Sequence, residues 1–563
     1  MHNEESNRKR NVTQRDATPS TTATALTEPW PRWGKIFSLE DRVEDFVSAH
    51  LRLILVGIAV GSVMLFAAYT YISLINPKNS DDATAVLQAQ DILHGNLLLH
   101  GWVNPPDSGY TTFIPLYVLG GLFTAHMAVL MYVLPPITYV MIVIVCGAIT
   151  WTSTANKHRL LSTLLVAIVI ALPSLFGRTD AGPPVQTAGD HQSTILLVLI
   201  AFYLLSIRKS FGLALLPLIL APIGDPMATW IGIPAVGLVG LLLLSRGQKR
   251  LGWRLVICAA TSLIIAKLLI ALIPMLGGFD STPGDLRSRF VSLDNLSGNV
   301  RLFIESVLAL FGANPFGLPV AAFDTAIVLI HLGVLIFIIW IIWEVARTAS
   351  QETDPLKLLL LTALILNVIA FVFSTAPTNL ASARYLPTLT IFGALLAGLC
   401  WHDVGISAKP LWLATPIVMI AFLIPFGRQM VRPIQDPQPQ ADFVPPDPRG
   451  VAEFLEANHL TEGYGSYWCA SIFMVLSDGK VKVPPVAFGP QGLLAPLLWW
   501  SARQWYDMKN ARFLIFKDES FGVNRVTAIS TWGPPSETKD LDGYTILIWP
   551  RPLHLGQIPV IPH

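Results

Sequence analysis

Residues 322–344 read AFDTAIVLIHLGVLIFIIWIIWE, with one acid near each end and a single histidine between. A run of about 20 mostly apolar residues is long enough to cross the hydrocarbon layer as a helix. Working outward, similar runs recur near 51–75, 126–151, 159–176, 193–207, 211–223, 227–245, 254–276, 356–374, 384–401 and 410–427, eleven in all. The whole chain agrees. Of its 563 residues 53% are hydrophobic and only 13% charged, about half the charged share of a soluble globular protein. The sequence predicts a polytopic α-helical membrane protein. It excludes a soluble enzyme, a fibre and a disordered chain. Lys and Arg number 38 and Asp and Glu 37, giving a net charge of +1, so no global field draws nucleic acid.

Charge placement orients the spans. With the N-terminus in the cytoplasm, the inner borders carry Lys157, Arg159, Arg208, Lys209, Arg246, Lys249, Arg250, Arg254, Arg347, Lys357 and Lys409. The outer loops between spans, several times longer in total, carry Lys78, Arg178, Arg287, Arg289, Arg301 and Arg384. An odd number of spans puts the C-terminus outside. Residues 113–151 also admit two spans hinged at Pro135 and Pro136, but that would invert every later loop. An in-plane helix at 113–123 followed by one proline-bent span keeps the charge rule.

Three parts follow: a polar, disordered cytoplasmic tail at 1–45, a transmembrane domain at 46–430 with long outer loops at 76–125 and 277–321, and an extracytoplasmic α/β domain at 431–563. The tail has no signal-peptide pattern. In the last part PRGVAEFLEANHL and VNRVTAIST have helical spacing, whereas KVKVPPV, RFLIF and YTILIWP read as strands. Trp499, Trp500, Trp505 and Tyr506 are either core or an aromatic surface. The four cysteines, at 146, 258, 400 and 469, form neither a disulfide framework nor a zinc spacing.

Function concentrates on the outer face, where the long loops are. Asp81 and Asp82 open a helical stretch, with Ala85, Leu87, Ala89, Ile92 and Leu93 apolar and Gly95 ending it. Two acids at a helix start suit its dipole. A carboxylate there also suits proton abstraction from a hydroxyl, or metal binding. Asp190 and His191 in GDHQST precede a span, as a cap or as ligands. Asp225 in IGDPM lies close to the apolar layer, where a carboxylate is costly unless paired or used. His94 and His100 flank the end of the first-loop helix and are weaker candidates.

The first loop resembles that of the GT-C superfamily of membrane glycosyltransferases, which includes the aminoarabinose transferase of lipid A and the protein O-mannosyltransferases. The resemblance is carried by Asp81-Asp82, Ala89, Ile92-Leu93, Gly95-Asn96, Pro115-Leu116-Tyr117 and a following span. It covers about 50–430 and is strongest over 76–150; the family usually has Asp-Glu where this chain has Asp-Asp. It implies an inverting transferase at the outer face of a bacterial inner membrane. The donor is a polyprenyl-phosphate sugar and the acceptor a lipid, glycan or protein. Asp81 is then the general base and Asp82 assists. Arg384, Arg287, Arg289 and Arg178 are candidates to neutralise the donor phosphate. A divalent Mg or Mn ion on Asp81, Asp82 or His191 would be the only cofactor. Two other classes stay open: a flippase for a lipid-linked sugar, which would want broken-helix repeats, and a non-catalytic scaffold of the same fold.

Overall fold

The computed structural model describes residues 51–76, 78–173, 191–282, 289–431, 448–556 and 558–561. The predicted tail at 1–45 lies outside them. The chain divides into two units, Met1–Ile54 and Leu55–His563, and the second holds all the described candidate site residues.

Among the described residues, seven helices are long and apolar enough to cross a membrane: Leu55–Ile75, Met127–Ser153, Met227–Ser245, Lys249–Met275, Phe323–Thr348, Pro355–Phe373 and Ala408–Met430. The protein is a helical membrane protein. Besides Tyr467–Leu476 in the C-terminal region, four apolar helices are shorter: Arg159–Ala171, His191–Ser206, Phe211–Gly224 and Pro387–Cys400. They stand where the other four apolar runs predict spans. Met127–Ser153 runs through Pro135 and Pro136 as one helix, preceded by the short helix Ile114–Gly121 with Pro115 in its first turn. Both match the single-span reading of 113–151. The run at 227–245 is interrupted: Met227–Ile231 gives way at Gly232 to Ile233–Ser245.

Packing among the helices relies on small residues where backbones touch, because lipid tails leave no hydrophobic force to drive helices together. A Cβ on Gly252 would lie 2.7 Å from the Gly240 carbonyl oxygen, and one on Gly240 would lie 2.9 Å from the Val256 nitrogen. Helices Ile233–Ser245 and Lys249–Met275 therefore cross in direct backbone contact. Elsewhere a proline creates a need that a buried side chain meets. Pro425 cannot donate to the Ala421 carbonyl four residues earlier. The Nε2 atom of His331 lies 3.0 Å from that oxygen. Its Nδ1 lies 2.7 Å from the carbonyl of Phe311, the C-cap of helix Leu293–Leu310. The Phe422 ring stacks on the imidazole at 3.9 Å. A neutral imidazole has one N–H and donates to one of the two carbonyls, so replacing His331 by Leu costs roughly 1–3 kcal/mol. Thermal unfolding in detergent will show the midpoint falling for His331→Leu and holding for His94→Leu, whose side chain is exposed.

The C-terminal region carries a four-stranded sheet in the order Gly463–Gly465, Phe513–Phe516, Tyr544–Ile548, Glu537–Leu541. The first pairing is parallel and the other two antiparallel. RFLIF and YTILIWP form the two central strands, and helices Pro448–Ala457 and Arg525–Trp532 lie where their spacing predicts. KVKVPPV does not form a strand. It makes bridges only at Lys482 and Pro485 before the strand Val486–Phe488, because Pro484 and Pro485 have no N–H for a ladder. Helix Tyr467–Leu476 has no polar face to reveal its period, since eight of its ten residues are buried.

A second sheet ties three distant segments together. Strand Trp102–Asn104 of the first long loop pairs in parallel with Asp280–Ser281 of the second and antiparallel with Ser501–Ala502 of the C-terminal region. The Arg503–Asp280 ion pair at 2.7 Å lies beside it. Helix Tyr467–Leu476 packs along helix Ser80–Leu93. Trp102 and Trp505 meet edge to face, and the Tyr506 hydroxyl lies 2.6 Å from the Pro485 carbonyl oxygen and 2.8 Å from that of Leu497. Of the tryptophan-rich stretch, Trp500 is buried, and Trp499, Trp505 and Tyr506 are half-buried against the core.

Candidate functional site

Helix Ser80–Leu93 begins with a capping box. The Asn79 side chain accepts from the Asp81 and Asp82 amides, and the Asp82 carboxylate accepts from the Asn79 amide at 3.1 Å. Asp82 also pairs with Lys78 at 3.2 Å, the lysine being fully buried. Asp82 is thereby committed to holding the helix start. Asp81, one position earlier, points elsewhere: its Oδ1 accepts from the Tyr467 hydroxyl at 2.5 Å. Burial and then the Asp81 charge push the Tyr467 phenol well above its ordinary value, so its proton stays on to be donated. Trp499 is a further hydrogen-bond partner of Tyr467.

A second carboxylate reaches this place from the turn NPPDSGY. Gly109, with φ +68°, donates to the Gly224 carbonyl at 2.8 Å, and Thr111 donates to the Leu220 carbonyl at 2.5 Å. A Cβ on Gly224 would meet Thr112 at 2.7 Å, so only glycine lets the turn dock on the end of helix Phe211–Gly224. That docking brings Asp107 within electrostatic reach of His191, Asp225 and Arg384, and Tyr467 in turn feels Asp107. Burial raises the Asp107 carboxyl; Asp225 adds to this, while His191 and Arg384 oppose it.

Asp225 caps one helix and starts another. Its Oδ1 accepts from the Met227 amide at 2.8 Å and its Oδ2 from His191 Nδ1 at 2.9 Å, both side chains being buried. Burial works against its charge, but the His191 attraction and these hydrogen bonds outweigh it and hold the carboxyl below its usual value. The His191 ring lies 5.0 Å from that of Tyr385. Arg384 sits over the same Tyr385 ring at 5.1 Å and donates to its hydroxyl at 3.1 Å. Arg384 is not the first residue of a span, as the apolar run at 384–401 predicts. It belongs to a short 3₁₀ turn, Leu380–Tyr385, and the helix starts only at Pro387, a residue suited to the first helical position. Asn367 fixes the turn by donating to the Tyr385 carbonyl at 3.0 Å, and the Thr388 hydroxyl donates to Asn367.

Of the residues singled out from sequence, His191, Asp225 and Arg384 come within electrostatic reach of Asp107, and Tyr467 lies within reach of both Asp107 and Asp81. Arg178, Arg287 and Asp190 lie outside the described residues. Arg289 stands at a β-bridge between Phe290 and Ser374, its amide donating to Thr375 at 3.0 Å. His94 and His100 bond to the Gln90 and Gly277 carbonyls. Asp107, Tyr467 and Tyr385 complete the cluster. The proline-proline-aspartate-serine-glycine turn signalled a fixed loop at Asp107; nothing local marked Tyr467, which is supplied by a helix 386 positions from Asp81.

Among the described residues no group of three or more His, Cys, Asp or Glu side chains is placed to hold a metal ion. Asp82 is taken by Lys78, Asp81 faces Tyr467 and His191 faces Asp225, so the three do not form one donor set. What the cluster offers is three carboxylates, one of them paired with a histidine and one with a hydroxyl docked on it, and one arginine. Perturbed acids gathered at one place are a mark of chemistry. No protein-family model matches the sequence, and no curated protein matches it significantly.

Proposed function

We propose that the chain is a GT-C-type glycosyltransferase that moves a sugar from a polyprenyl-phosphate donor to an acceptor hydroxyl at the outer face of a bacterial inner membrane. The observation that carries this reading is the 2.5 Å hydrogen bond from the Tyr467 hydroxyl to Asp81. A general base must lie within such reach of the proton it takes, and here a hydroxyl already occupies that place. When the acceptor hydroxyl replaces it, Asp81 takes the proton and the oxygen attacks the anomeric carbon. The bond from that carbon to the phosphate oxygen breaks, and polyprenyl phosphate leaves. One direct displacement inverts the anomeric centre. Arg384 neutralises the departing phosphate, and Asp107 and the His191–Asp225 pair fix the charge around it.

In this reading the four short helices also cross the bilayer, making eleven spans with the C-terminal region outside. Helices of 13 to 16 residues measure about 20–24 Å, less than the ~30 Å of hydrocarbon; local thinning and flanking loops complete the crossing. The basic residues at the inner borders support the orientation.

The experiment is release of free polyprenyl phosphate from a panel of polyprenyl-phosphate sugars by purified protein in detergent. Arg384→Ala is expected to raise the KM for the donor at least tenfold, and Arg384→Lys to restore part of it, because lysine keeps the charge but not the forked geometry. A KM unchanged in Arg384→Ala removes Arg384 from the phosphate site.

A further inference from the structure

Four helices pack in a ring: Arg159–Ala171 and Phe323–Thr348 each lie against both Pro387–Cys400 and Ala408–Met430. A cavity of about 350 Å³ opens between them. All four helices supply its fifteen lining residues, and Thr415 is the one polar side chain among these. The Thr415 hydroxyl donates to the Leu411 carbonyl of its own helix at 2.7 Å, so the wall offers nothing to a polar ligand. Five of the fifteen are glycine or alanine: Gly333, Ala394, Ala397, Gly398 and Ala414. Small residues normally let membrane helices close on one another. Here they leave space. A Cβ built on Gly333 meets no atom within 4 Å. An apolar space of this kind does not hold water. Two of its walls, Phe323–Thr348 and Ala408–Met430, are helices long and apolar enough to cross a membrane, so the solvent it opens to is hydrocarbon.

The groove lies toward one end of the ring. Ala397 and Gly398 stand in the last turn of their helix, about 15 Å along it from Pro387, and Ala414 in the second turn of its own. Arg384 and the carboxylate cluster belong to the opposite end. The near end carries Lys157, Arg159 and Lys409, while Glu352 and Asp403 there pair with Lys357. A basic border of this kind attracts anionic headgroups.

We infer that this groove seats an acyl chain of an anionic phospholipid, drawn from the leaflet next to Lys157, Arg159 and Lys409. That this leaflet is the cytoplasmic one rests on the orientation proposed above; the groove and its chemistry do not.

The test uses the full-length protein, delipidated in detergent and titrated with phosphatidylglycerol or with phosphatidylcholine of the same acyl chains. Native mass spectrometry counts the bound lipids. Wild type should bind one phosphatidylglycerol at least tenfold more tightly than phosphatidylcholine, and its thermal midpoint should rise as the site fills. Gly333→Leu and Ala414→Leu fill the groove from two neighbouring walls, and each should weaken that binding at least tenfold. Gly57→Leu is the control: its Cβ also meets no atom within 4 Å, and it lies outside the groove, so it should bind as wild type does. Equal affinity for the two lipids overturns the proposal. So does wild-type affinity in either groove variant that keeps its unfolding midpoint. Displacement of the bound lipid by polyprenyl phosphate overturns it as well, giving the groove to the tail of the donor. Binding is read without turnover, so a protein that binds phosphatidylglycerol in this way but transfers no sugar keeps the lipid site and loses the transferase reading.

Discussion

If the chain transfers sugar as proposed, Asp81→Asn is expected to lower the rate by roughly 10²–10⁴-fold, the range that a positioned general base contributes. The substitution keeps the size and planarity of the side chain, and the amide oxygen still accepts from Tyr467, so the fold stays. The capping box depends on Asn79 and Asp82 and not on the Asp81 carboxylate. The loss therefore appears in kcat and not in thermal stability. Asp82→Asn is the informative contrast. It weakens the pair with buried Lys78 and one half of the capping box, so it lowers stability first. Steady-state transfer with a fixed donor, measured beside thermal unfolding, separates the two residues. A kcat in Asp81→Asn within threefold of wild type would move the base to Asp107, whose carboxyl burial raises.

The second large effect belongs to Asp225. Truncating one partner of a buried pair leaves the other uncompensated, at about 3–5 kcal/mol. Asp225→Ala removes the acceptor of both His191 Nδ1 and the Met227 amide, and the unfolding midpoint is expected to drop accordingly. The pH dependence has a definite sign. The folded-state carboxyl lies below its ordinary value, so the unfolded chain binds the proton more readily. Its stabilisation is complete at neutral pH and disappears as pH falls from about 4 through the depressed folded value. Asp107 acts oppositely: its charged form is disfavoured by burial, and protonation relieves that cost as pH falls. Acid-denaturation curves of wild type and Asp225→Ala should therefore converge on the acid side. Curves parallel across the whole range would contradict the depressed carboxyl.

Membrane character was legible because long apolar runs leave no other reading. Asp81, His191, Asp225 and Arg384 were legible singly, as charged or ionisable groups where burial makes them costly. Their convergence was not. It depends on the Gly109 turn docking on Gly224, a tertiary contact between residues more than a hundred positions apart. Tyr467 was hidden for a related reason: YWCASIFMVL has the composition of core, and the atom that reaches Asp81 is a hydroxyl at the helix start. The strand Glu537–Leu541 is polar on its edge of the sheet, and an edge strand need not show the alternating pattern. KVKVPPV misled because its valines suggest a strand that its prolines forbid.

The central claim is that Asp81 takes the proton of an acceptor hydroxyl as sugar leaves a polyprenyl phosphate. The most direct measurement is a single-turnover assay with each polyprenyl-phosphate sugar and a candidate acceptor, following released polyprenyl phosphate and the anomeric configuration of the product. The account predicts one polyprenyl phosphate per inverted glycoside from wild type, and neither from Asp81→Asn at the same protein concentration. A retained configuration, or equal release by wild type and Asp81→Asn, would contradict it.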